Sequence, residues 1–236
     1  MSSEKRAGNL IDADSMASQY REEITSPSFT ELRSLAFWAK MKGPEFYLIG
    51  GWAAWRLHGG LGSRDIDVVF PDEAILDMFL TQYYKVNGYE QYGGFASRRY
   101  RKRVIVRSEP VFVYIDAASF DDSPPFKGNA DANLPFALLK EHSVVWDLGD
   151  ATVRIPIPEL LLLQKVKAFL DRNWDLDHLA IGPVDSAYLR SKIQKDTYDI
   201  HGIANVISDW ELVRAIAETN GCWEIVETAF LRMGLR

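Results

Sequence analysis

Residues 47–70 run YLIGGWAAWRLHGGLGSRDIDVVF. Phe46 to Ile49 is a short apolar run that stops at Gly50-Gly51, the pattern of a buried strand ending in a tight turn. Residues 52–57 are good helix formers and halt at Gly59-Gly60. Asp65 to Phe70 alternates acid with aliphatic, becomes fully apolar and ends at Pro71, which predicts a second strand.

Residues i and i+2 of a strand project to one face, so Asp65 and Asp67 stand side by side. Adjacent like charges repel and are expensive on a partly buried sheet unless a cation lies between them. A hard divalent ion with oxygen ligands, such as Mg²⁺, supplies that compensation. Asp116 closes the β-forming run from Val111 to Ile115 and offers a third carboxylate from another strand. Three such acids suffice for a two-ion site of the kind that clamps attacking and leaving oxygens in phosphoryl or nucleotidyl transfer.

Asp-x-Asp alone is a weak pattern, and it stands at Asp12-Ala13-Asp14, Asp65-Ile66-Asp67 and Asp175-Leu176-Asp177. The first is expected in a polar leader and the third in a loop, both solvated. Only the middle pair leads into an apolar strand. Its upstream context adds weight, because Gly50-Gly51 opens a helix and Asp65 follows after thirteen intervening residues. Glycines at a strand-to-helix turn let backbone N–H groups approach a phosphate, and a helix N-terminus favours negative charge.

Outward from this stretch, residues 1–27 read as a leader ended by Ser26-Pro27. Ser28 or Thr30 then caps a helix with apolar positions Leu32, Leu35, Ala36 and Trp38. Asp72 caps another helix, with Ile75, Leu76, Met78, Phe79 and Tyr83 on its apolar face. Residues 95–105 are extended and basic: Arg99, Arg101 and Arg103 share a face that suits a triphosphate or an RNA backbone, or else a charged sheet edge that resists aggregation. A loop over 121–133 precedes a short helix near Leu138 and a hairpin turning at Gly149-Asp150. From Pro158 onward the chain reads as helices, which places the boundary between an α/β part (28–155) and a helical part (156–236). Lys165 sits beside four leucines, so its ammonium needs an anion: a substrate phosphate, or Asp196 or Asp199. Trp52 and Trp55 read as core, and His58 as a dipole partner at its helix end.

Composition narrows the function further. The 236 residues are 47% hydrophobic and 25% charged, which excludes global disorder. Twenty-seven Lys and Arg against 33 Asp and Glu leave a net charge of −6, a poor basis for binding long nucleic acids. The one cysteine, Cys222, excludes an internal disulfide framework, and four scattered histidines offer no i, i+4 metal pair. No apolar leader or membrane-length run is present, so a cytoplasmic location is expected.

The motifs of residues 47–70, with Ser63 before the acids and Asp116 after them, resemble the signature of the DNA-polymerase-β-like nucleotidyltransferase superfamily. Leu162, Lys165, Ala168 and Arg172, then Lys195, Asp196 and Asp199 after an insertion over 175–186, resemble its abortive-infection toxin-like and aminoglycoside-nucleotidyltransferase-like branches. The resemblance implies an α+β fold: a small mixed sheet with flanking helices, then a helical C-terminal part closing a cleft. It implies transfer of NMP from a nucleoside triphosphate to an acceptor hydroxyl, with release of pyrophosphate. Asp65, Asp67 and Asp116 would be catalytic and hold two Mg²⁺ ions. Gly50, Gly51, Ser63, Lys165, Arg99 and Arg101 would bind the nucleotide. The acceptor stays open among a small molecule, a tRNA end and a protein, and the rival expectation is a non-catalytic nucleotide- or partner-binding module on the same fold.

Overall fold

The computed structural model describes residues 20–92 and 98–235. It is an α+β structure whose seven strands form one mixed sheet. Helix α1 (Glu22–Lys42) precedes β1 (Tyr47–Ile49), α2 (Gly50–His58) and β2 (Asp65–Phe70). Helix α3 (Glu73–Phe79), continued by a π turn over Leu80–Tyr84, leads to β3 (Glu90–Gln91), β4 (Arg99–Val106) and β5 (Glu109–Ser119). A 3₁₀ turn (Phe136–Lys140) precedes β6 (Ser143–Asp147) and β7 (Thr152–Pro156). Helices α4 (Pro158–His178), α5 (Pro183–Ala204), α6 (Trp210–Thr219) and α7 (Trp223–Met233) follow.

The strand order is β3-β4-β5-β2-β1-β7-β6. Strands β2 and β5 pair in parallel, as do β1 and β7, and the remaining neighbours are antiparallel. Along β2 the side chains divide by parity. Ile66, Val68 and Phe70 are buried on one face, while Asp65 and Asp67, both half-buried, share the opposite face with the buried Val69. No helix among the described residues is long and apolar enough to cross a membrane.

Three expectations about elements are corrected. The helix expected from Ser28 begins at Glu22 and runs through Pro27. Proline removes one helical hydrogen bond, and burial of Thr25, Ser28, Leu32 and Leu35 holds the helix across the gap. The Ser28 hydroxyl also accepts a hydrogen bond from Trp52 Nε1 at 2.9 Å. Asp175-Leu176-Asp177 lies in the last turn of α4 rather than in a loop, where Lys127 pairs with Asp175. Only residues 179–182 separate α4 from α5, so the insertion expected over 175–186 is mostly helix. The Asp12-Ala13-Asp14 pair and most of the leader lie outside the described residues.

One apolar cluster joins the two parts of the chain. Leu160, Leu161, Leu162 and Leu163 are all fully buried, so α4 is surrounded on every side at its start. Ile66, Val68, Ile115 and Ile155 of the sheet belong to the same cluster as Val166, Ile200 and Phe230 of the helices.

Candidate active site

Register places the acids. In the parallel β2–β5 ladder, Asp67 lies directly opposite Asp116, and Asp65 lies opposite Tyr114. The three carboxylates therefore share one sheet face, two of them on neighbouring strands at the same level. Each meets a different electrostatic environment. Asp65 accepts a 2.5 Å hydrogen bond from Lys192 Nζ, and Arg99 Nε lies 3.3 Å from Asp116 Oδ2. Asp67 has no ion-pair partner among the described residues.

These environments separate the acidities of the three groups. Burial pushes Asp65 up, but Lys192, by charge and hydrogen bond, outweighs it and holds the carboxyl below its ordinary value. Burial, and then the charge of Asp65, push Asp67 up. Burial, followed by the charge of Asp67, pushes Asp116 up to about 7, with Arg99 pulling against them. Burial, and then their mutual repulsion, thus make two of the three acids resist ionisation. An all-oxygen donor set with unmet negative charge fits a hard divalent cation. Among the described residues, however, no three His, Cys, Asp or Glu side chains converge into a ready-made cage. Lys192 and Arg99 draw two of the carboxylates to themselves instead.

The glycine turn sits against these acids. Gly50 has φ +68°, and a Cβ there would lie 1.9 Å from Asp67 Oδ2. Backbone and carboxylate can approach this closely only because the residue is glycine. A Cβ on Gly51 would meet Ser63 Oγ at 2.5 Å and Lys195 Nζ at 3.3 Å. A buried hydroxyl and an ammonium thus gather at the N-terminus of α2.

Behind the acids, α4 and α5 share a buried network. Lys165 Nζ donates to Asp199 Oδ2 at 2.7 Å and lies 3.6 Å from Asp196 Oδ1, while Lys195 Nζ donates to the same Asp199 oxygen at 2.9 Å. Arg172 pairs with Asp196. Asp199 is 0% exposed. Burial pushes its carboxyl up, yet Lys165 and Lys195 together hold it far below the ordinary range. The anion that Lys165 requires is therefore supplied within the protein. His58 is buried too, with Nε2 3.5 Å from Asp199 Oδ1, so its side chain serves this network as well as the helix end.

On β4 the two arginines diverge. Arg99 faces Asp116, whereas Arg101 pairs with Glu90 and lies over the rings of Tyr92 and Phe112, at 5.1 and 4.8 Å. Arg101 is thus built into the outer part of the sheet. Lys192 was not singled out by reading the sequence. Its signal is that Lys192, Lys195, Asp196 and Asp199 are spaced i, i+3, i+4 and i+7, one face of a helix.

No protein-family model and no curated protein sequence matches the chain. Among solved structures, it is similar to an antigenic nucleotidyltransferase-like protein from Paracoccidioides brasiliensis, with 12% identity and a TM-score of 0.46 over 92% of each chain. It is similar to the lincosamide antibiotic adenylyltransferase LnuA, solved with lincomycin, at 16% identity and a TM-score of 0.43 over 78% of this chain and 99% of that one. The antibiotic-resistance factor ANT(2'')-Ia matches at 14% identity and a TM-score of 0.43, over 88% of this chain and 99% of that one. All three carry nucleotidyltransferase or antibiotic-resistance names, and function in this chain is to be read from its own side chains.

Proposed function

We propose that this protein transfers a nucleoside monophosphate from a nucleoside triphosphate to an acceptor hydroxyl, with release of pyrophosphate. The observation that carries the proposal is the register of Asp67 against Asp116, with Asp65 on the same face and the Gly50 backbone beneath Asp67. Asp65, Asp67 and Asp116 would hold Mg²⁺, which neutralises charge on the phosphates and their leaving group when bound. The backbone at Gly50 and Gly51, with Ser63 and Lys195 beside it, offers donors to the triphosphate. Asp116 suits the role of base by its place on the neighbouring strand beside Asp67, with an oxygen left to accept the acceptor's proton. The acceptor oxygen forms a bond to the α-phosphorus, its proton passes to Asp116, and the bond to the β-phosphate oxygen breaks.

An open cleft of about 670 Å³, lined by Ala118, Arg98, Asp121, Asp122 and Phe136 among others, lies just beyond Asp116 at the end of β5. A second reading, a module that binds nucleotide without chemistry, is favoured by the cations already paired with Asp65 and Asp116.

Incubation with Mg²⁺, each α-labelled NTP and size-fractionated cell extract separates the two. Transfer predicts label in one fraction together with pyrophosphate, and at least about a hundredfold loss in Asp67→Asn. Mg²⁺-dependent nucleotide binding without pyrophosphate from any fraction supports the module, and no binding at all overturns both.

A further inference from the structure

Besides Arg99, four cationic side chains of α4 and α5 lie near the acids, and three of them are paired within the helical part. Lys165, Lys195 and Arg172 are all paired with Asp196 or Asp199. Lys192 differs. Its one carboxylate partner among the described residues is Asp65, 127 residues away on the sheet, and its side chain remains 18% exposed. Its ammonium also lies over the Tyr188 ring, at 5.4 Å, and near Tyr20.

Asp65 is also a carboxylate that a divalent cation at this site would require. Paired with Asp65, the Lys192 ammonium takes up a carboxylate oxygen that such a cation would use. The two cations compete for this carboxylate, because an ion of charge +2 attracts it about twice as strongly at equal distance and repels the ammonium. Lys192 hangs on a flexible four-carbon stem and has no second carboxylate partner among the described residues, so it is the group that yields. Once released, it lies beside the acids and the donor cluster at Gly51, where a triphosphate would concentrate negative charge.

Resting on the nucleotidyl-transfer reading, we propose that Lys192 is a phosphate-contacting residue stored on Asp65, displaced by the divalent cation and passed to the donor triphosphate. Lys192 then opposes cation binding in the absence of nucleotide and favours nucleotide binding in its presence. The two ligands are coupled through one side chain.

The test is calorimetry on the full chain, using Mn²⁺ alone and then α,β-methylene analogues of the four NTPs at saturating Mn²⁺. Lys192→Met and Lys192→Gln are expected to bind Mn²⁺ alone about tenfold more tightly, or roughly 1.4 kcal/mol, and the analogue about tenfold more weakly. Lys192→Arg is expected to keep analogue affinity close to wild type. Thermal melts show which variants are folded, and the Gln variant, which still donates to Asp65, serves if the Met variant melts early. Folded variants with unchanged or weaker Mn²⁺ affinity overturn the proposal and leave Lys192 as a structural strap. A wild type that binds neither Mn²⁺ nor analogue removes the nucleotidyl-transfer reading itself, a separate result.

Discussion

Asp116 is the residue whose surroundings differ most usefully from water. Its carboxyl stands at about 7 when folded against an ordinary value of 3.8. Between these values the folded chain holds a proton that the unfolded chain has lost, so stability falls as pH rises from about 4 to about 7. Above that window the full penalty of the buried charge is present. Asp116→Asn carries no such penalty, and its lost contact with Arg99 is an exposed pair of small value. The variant is therefore expected to melt above wild type at pH 8, with the difference vanishing toward pH 4. The gain should be on the order of 1 kcal/mol, since the side chain is 38% exposed and solvent screens much of the shift. Melting curves across this range decide the matter, and a variant less stable than wild type at pH 8 would show that Asp116 serves a structural partner.

The turn between β1 and α2 is a single element with two demands. Gly50 needs a left-handed conformation, and it also needs to lack a side chain where Asp67 presses in. Gly59 provides an internal control. Its φ of +69° matches the +68° of Gly50, yet a Cβ there would meet nothing within 4 Å. Gly59→Ala should lose only the conformational part, about 1–2 kcal/mol. Gly50→Ala is expected to lose more than that and also to weaken Mn²⁺ binding, because the Asp67 carboxylate must swing away. Equal melting losses in the two variants would mean that the approach of backbone to carboxylate has no energetic weight.

Across the whole molecule, the α/β part and the helical part are joined by a core that neither completes alone. Four consecutive fully buried leucines at the start of α4 contribute roughly 1.5–3 kcal/mol each. That sum is comparable with the entire stability of an ordinary domain, about 5–15 kcal/mol. We therefore expect a fragment of residues 20–156 to lack a cooperative urea transition by circular dichroism and to bind a hydrophobic dye. A sharp transition near the wild-type midpoint would mean that the change of character at residue 156 separates two independent domains.

Much of this architecture is local and was legible in the chain. The order strand, glycine turn, helix, strand over residues 47–70 follows from apolar runs and chain breakers, and the shared face of Asp65 and Asp67 follows from the period of a strand. The helical character after Pro158 follows in the same way from its apolar spacing. Local rules failed where packing outweighed them, as at Pro27, which a buried helix carries through its interior. They were silent on pairings between distant segments. The level of Asp67 against Asp116 depends on which strands lie side by side, the choice for Lys165 among a phosphate, Asp196 and Asp199 depends on how α5 packs on α4, and the partner of Lys192 depends on how α5 meets β2. A charged side chain carries no period that names its partner. Its choice between a ligand and a neighbouring acid is settled by distance and desolvation, and those exist only once the chain has folded.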